Sequence, residues 1–167
     1  MAKIQLANKS VNTNGELPSV GMTAPAFELI NSRLQTKTLN DFADKPKLIS
    51  IVPSLDTEVC AHSTQHIDSL EDENCHRIIV SADLPFAQQR FVKQYALKNI
   101  QCLSLMRSHA FAEDYGVLLL DGPLAGLCAR ALLALDKDNR VVYSELVSEI
   151  TREPNYQSAL DALQALV

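Results

Sequence analysis

The apolar run Lys47-Leu48-Ile49-Ser50-Ile51-Val52 stops at Pro53. Its central residues are apolar on both alternating faces, so both faces need cover, as in a central parallel strand. A polar turn follows, and a helical pattern starts near Thr57. Cys60 then falls in the first turn of a helix, just past the end of a buried strand. The unpaired N–H groups and the dipole at such a terminus stabilise negative charge. A thiol placed there can have its pKa lowered to about 3.5–7.5. The position suits a nucleophile; an inert first-turn cysteine is the plain alternative.

The rest of the chain alternates between the two periodicities. Ile4 and Leu6, then Val11 and Thr13, read as a hairpin turning at Asn8-Lys9. A Pro- and Gly-containing connector follows over 17–25. Short strands are expected over 27–30 and 35–39, then one helical turn through Leu39, Phe42 and Ala43. The helix carrying Cys60 is expected over 57–72, with Val59, Ser63, Ile67 and Leu70 inward. Ile78-Ile79-Val80 is the next buried strand. Ser81 or Asp83 can cap the following helix, with Pro85 in its first turn and Ala87, Phe91 and Tyr95 on its apolar side. A strand over 102–105 and a helix through Phe111 and Tyr115 come next, the helix capped by Ser108 and ended by Gly116. Residues 118–120 read as extended. Strands over 130–135 and 141–146 flank the hairpin loop Asp136-Lys137-Asp138-Asn139. Tyr156, Leu160, Leu163 and Val167 line a last helix. Strands alternating with helices indicate an α/β fold with a mixed sheet.

The chain has 167 residues, 47% of them apolar and 21% charged, which suits one soluble domain spanning 1–167. A formal charge of -5 gives no electrostatic case for nucleic acid or an anionic membrane. No apolar run is long enough to span a bilayer, and the first residues lack a secretory h-region, so the cytoplasm is the expected location. The cysteines Cys60, Cys75, Cys102 and Cys128 are widely spaced, without a Cys-x-x-Cys pair. This favours neither a disulfide framework nor a zinc ribbon. His62 and His66 stand at i and i+4, but no third ligand is evident, so no metal or cofactor is expected.

Pro53, Thr57 and Cys60 form the pattern Pro-x-x-x-Thr-x-x-Cys, which resembles the active-site motif of the peroxiredoxins. Ser81-Ala82-Asp83-Leu84-Pro85-Phe86-Ala87, Gly122-Pro123-Leu124-Ala125-Gly126-Leu127, Ala129-Arg130-Ala131 and Glu153-Pro154-Asn155-Tyr156 resemble landmarks of the bacterial thiol peroxidase subfamily. The resemblance implies a thioredoxin-like fold, a mixed central sheet flanked by helices, with an N-terminal β-hairpin extension. It implies a thiol-dependent peroxidase reducing hydrogen peroxide and organic hydroperoxides, a homodimer, and an external thiol reductant, thioredoxin or another redoxin. A peroxide sensor with an oxidisable Cys60 but poor turnover is the alternative.

In this resemblance Cys60 is the peroxidatic nucleophile, passing through a sulfenic acid. Thr57 donates to the thiolate or orients the peroxide, or is simply an N-cap. Pro53 shapes and shields the loop, or only ends the strand. Arg130 opens an apolar strand and needs an anionic partner. In a thioredoxin-like sheet that strand runs antiparallel to the one ending at Pro53, which sets Arg130 beside Cys60; Glu58 is the carboxylate expected to steady it.

One departure concerns the second, resolving cysteine, which in the family directly follows Arg-Phe. Here Arg90-Phe91 is followed by Val92. Cys75 lies about 20 Å from Cys60 along a helix rising ~1.5 Å per residue, beyond the roughly 7 Å a disulfide tolerates between Cα atoms. Cys102 is expected at the opposite end of the sheet. Cys128, two residues before Arg130, is the best internal resolving candidate; otherwise it is a small buried hydrophobe and an external thiol reduces the sulfenic acid.

Overall fold

The computed structural model describes residues 1–71 and 74–166. Strands β1 (Lys3–Leu6) and β2 (Lys9–Asn12) pair antiparallel as a separate hairpin. Its turn is Ala7-Asn8, one residue earlier than expected. Both residues have positive φ, 49° and 65°, which matches the right-handed twist of a two-residue hairpin.

The main sheet has seven strands in the order β4-β3-β7-β6-β5-β8-β9. They are β3 (Leu29–Ile30), β4 (Thr36–Lys37), β5 (Lys47–Ile51), β6 (His76–Ser81), β7 (Gln101–Ser104), β8 (Ala131–Leu135) and β9 (Val141–Leu146). β5, β6 and β7 run parallel, while β8 lies antiparallel to β5 with Ile51 opposite Ala131. The helices are α1 (Glu58–Ser69), α2 (Pro85–Gln94), α3 (Ala110–Asp114) and α4 (Tyr156–Gln164), with a single 3-10 turn over Leu39–Phe42. None is long and apolar enough to cross a membrane among the described residues.

Alternation along β5 divides the core in two. Ile49 and Ile51 face one side, with Phe27, Phe42, Phe111 and Leu133. Leu48 and Val52 face the other, where Ile67 of α1, Phe91 of α2 and Leu163 of α4 cover the sheet. Each buried Leu, Ile or Phe contributes about 1.5–3 kcal/mol over an exposed one, so both faces stabilise the strand that feeds the Cys60 loop.

Local chemistry accounts for the differences from the sequence expectations. The inward stripe of α1 is Cys60, Ser63, Thr64 and Ile67, with Val59 only half-buried. Cys60 belongs to this stripe because its side chain is completely buried in the same core as Ile67. Leu70 is already extended; the expected helix end at Asp72 and the inward Val167 lie outside the described residues. Gln88, not Ala87, joins Phe91 on the buried side of α2. The N-cap of α2 is Leu84, without a side-chain bond, and Pro85 takes the first helical position. Asp83 does not cap the helix because its carboxylate accepts from Ser54 and Leu55. Ser108 lies one residue before the α3 cap His109, and its hydroxyl accepts from Ala110 N. Residues 118–120 form the isolated bridges Thr13–Leu119 and Leu118–Cys128 rather than a continuous strand.

Candidate active site

β5 ends at Ile51, and the chain passes through Pro53 into a polar turn before α1. Thr57 is the N-cap: its Oγ1 accepts from the backbone N–H of Cys60 at 3.3 Å. Its own hydroxyl donates to the Ser54 carbonyl at 3.3 Å, which ties the turn to the helix start. Pro53 is buried and Thr57 exposed. Cys60 is completely buried.

Arg130 enters from just before β8, on the strand antiparallel to β5. Its Nη2 lies 3.1 Å from the Cys60 Sγ, and its Nε donates to the Ile150 carbonyl at 2.8 Å. Arg130 is only 2% exposed, and its Nη1 has no hydrogen-bond partner among the described residues. Glu58 is exposed, and among the described residues no carboxylate forms an ion pair with Arg130. The expected carboxylate is thus replaced by a backbone carbonyl, which fixes the side chain without neutralising it. The Nη2 N–H is directed at the sulfur, so negative charge on that sulfur would be met by a charge-assisted hydrogen bond.

The loop from β9 to α4 closes one side. Tyr156 donates to Glu153 Oε1 at 3.0 Å, and His62 Nδ1 lies 3.1 Å from the same oxygen. His66 stacks on Tyr156 with centroids 4.4 Å apart. Burial first, and Glu153 after it, push the Tyr156 hydroxyl's pKa up, while Ser63 and, more weakly, Arg130 oppose them. His76, next to Cys75, bonds Asp44 at 2.6 Å.

The structure brings Pro53, Thr57, Cys60 and Arg130 to one end of the sheet. It does not bring Cys128 to them. Cys128 is completely buried in the core on the opposite face from Cys60. Burial pushes its thiol up to about 12, so it holds almost no thiolate at neutral pH. Cys102 sits opposite Ile79 within β7, its thiol raised to about 12 by burial and by Asp83. Val92 lies on α2, half-buried. Sequence reasoning missed the Ile150 carbonyl, because a backbone acceptor has no side-chain signature, and it read Asp83 only as a cap.

The redoxin family model matches residues 19–160. A thiol peroxidase of Mycobacterium tuberculosis is 46% identical over 166 residues, covering 99% of this chain and 100% of that protein. The chain belongs to the thiol peroxidase family of redoxins. A peroxiredoxin-like protein from Aquifex aeolicus superposes on this family member with a TM-score of 0.92 at 36% identity, covering 100% of this chain and 98% of that one. A thiol peroxidase from Chromobacterium violaceum gives 0.88 at 26% identity, covering 98% and 95%. The thioredoxin-like fold expected from the sequence is thereby shown. So is a peroxiredoxin-type enzyme of thiol-dependent peroxide reduction, with a peroxide substrate and a thiol reductant. A stoichiometric sensor is not favoured.

Proposed function

We propose that this thiol peroxidase reduces hydrogen peroxide and organic hydroperoxides at Cys60. The observation that carries the assignment is the buried Arg130 guanidinium 3.1 Å from the Cys60 sulfur at a helix start. The thiolate attacks one peroxide oxygen. An S–O bond forms, the O–O bond breaks, and the other oxygen leaves as hydroxide or alkoxide. Cys60 becomes a sulfenic acid, and the leaving oxygen takes up a proton to give water or an alcohol. The unpartnered Nη1 of Arg130 is the donor available to hold a peroxide oxygen and stabilise the developing charge. Thr57 fixes the helix start, and Pro53 excludes water from the sulfur.

With Val92 where the family has its resolving cysteine, and Cys128 in the other core, an external thiol completes the cycle. One thiol attacks the sulfenic sulfur, releasing water and leaving a mixed disulfide. A second thiol, from the same or another reductant molecule, restores Cys60. The enzyme works as a homodimer in a reducing cytoplasm, which suits Cys60, Cys102 and Cys128, none of them in a disulfide. Steady-state peroxide consumption with thioredoxin and small thiol donors tests the reading. Turnover lost in Cys60→Ser supports it; turnover unaffected by that change contradicts it.

A further inference from the structure

We propose that Asp83 is a positioning residue for the Cys60 loop, holding it from the neighbouring strand. This rests on the peroxidase reading above and extends it to a residue that never touches the sulfur. Asp83 follows the end of β6, beside the strand that feeds the loop. Its Oδ1 accepts from Ser54 Oγ at 2.7 Å. Its Oδ2 accepts from the Leu55 backbone N–H and from Ser81 Oγ, each at 2.7 Å.

A continuous chain of bonds leads from there to the sulfur-bearing residue. Ser54, held by Asp83, offers its carbonyl to the Thr57 hydroxyl. That hydroxyl's oxygen holds the Cys60 N–H. Ser54 Oγ also accepts from Asp56 N at 3.2 Å, so one serine braces the turn at two points. Leu55 is pinned twice, by its N–H to Asp83 and by its buried side chain in the core that contains Cys60.

The anchor itself is rigid. Ser81 Oγ accepts from Gln88 Nε2 at 3.0 Å, and the same nitrogen donates to the Leu103 carbonyl. Ser104 Oγ donates to the Asp83 carbonyl at 2.6 Å. Gln88, Ser81 and Ser104 are all buried. The loop is therefore referenced to the ends of β6 and β7 and to α2. A carboxylate accepting three short bonds suits this role, since charge-assisted bonds are roughly twice as strong as neutral ones. A misplacement of about 1 Å can cost 100-fold in rate.

The test is a double-mutant cycle on the second-order rate of Cys60 oxidation by hydrogen peroxide, with iodoacetamide alkylation as control. Asp83→Ala is expected to slow oxidation at least 10-fold, with Asp83→Asn in between because amide nitrogen replaces one acceptor oxygen. Ser54→Ala is expected to cost about 3-fold, and the double variant to be no slower than Asp83→Ala alone. Alkylation, which needs a thiolate but no aligned O–O bond, is expected to change less than about 3-fold. Wild-type oxidation rates in Asp83→Ala and Asp83→Asn would overturn the proposal. So would strict additivity with Ser54→Ala, or an equal loss in alkylation. Should Asp83→Ala fail to fold, Asp83→Asn with Ser54→Ala forms the cycle. A wild-type Cys60 inert to peroxide would instead overturn the functional reading, and this inference with it.

Discussion

Nη2 of Arg130 lies 3.1 Å from Sγ of Cys60, across 70 residues of sequence. The antiparallel pairing of β5 with β8 makes this contact. Ile51 and Ala131 are opposite each other, so the residue before β8 meets the loop after β5. Because Nε is committed to the Ile150 carbonyl, the plane of the guanidinium is set before any substrate arrives.

Arg130→Lys tests the fork rather than the charge. An ammonium cannot reach the Ile150 carbonyl, the sulfur and a peroxide oxygen in one fixed plane. Peroxide oxidation is expected to slow about 100-fold, within the range for losing one preorganised donor. Arg130→Met is expected to lose more. Stopped-flow oxidation by hydrogen peroxide reads both variants.

Thr57→Val removes the acceptor for the Cys60 N–H and the donor to Ser54. Loss of an N-cap costs about 1 kcal/mol, so the thermal midpoint drops by a few degrees. Thr57→Ser keeps both bonds and is expected to preserve stability and rate. Calorimetry alongside peroxide kinetics separates the two variants.

Cys128→Ala is expected to leave turnover with an external thiol unchanged while lowering stability by about 1 kcal/mol, the usual cost of a small core deletion. Its buried thiol is pushed up to about 12. Peptide mapping of the oxidised wild type is expected to show no Cys60–Cys128 bond. That bond, together with lost turnover in Cys128→Ala, would restore Cys128 as the resolving thiol.

The N-terminal hairpin carries a separate pH dependence. Glu149 accepts from the backbone N–H groups of Asn8 and Ala7 and from Thr151. The Asn8 backbone bond is the largest cause of a carboxyl lowered to about 2 from its ordinary 4.5. Since the folded value is depressed, this support is complete above 4.5 and is lost as pH falls towards 2. Protection of the Ala7 and Asn8 amides, taken relative to the intrinsic exchange rate at each pH, is expected to fall over that window, and Glu149→Gln to flatten the dependence.

Much of this was legible before any coordinates. The apolar run into Pro53 marks β5, and the polar turn after it marks the start of α1. Hydrophobic period and turn residues are local signals, and they place most elements within a residue or two. Arg130 in an apolar strand announces a buried charge needing a partner, and the antiparallel strand assigned through the family resemblance identifies Cys60. What stayed hidden is non-local. The Ile150 carbonyl replaces the expected Glu58 through a contact that no spacing encodes. Cys128 and Arg130 are two residues apart, which in a regular strand would put them on one face. The irregular stretch before β8 sends them to opposite cores instead. Asp83 could cap α2 by position, yet its carboxylate spans to the next strand's loop, which only tertiary structure reveals.

The most direct measurement is mass spectrometry of the reduced protein after one equivalent of hydrogen peroxide, with a sulfenic-acid trap present. The account predicts one trapped adduct on Cys60, formed fast in the wild type and slowly in Arg130→Met, with Cys128 still reduced. First oxidation at another cysteine, or a Cys60 adduct forming equally fast without Arg130, would contradict it.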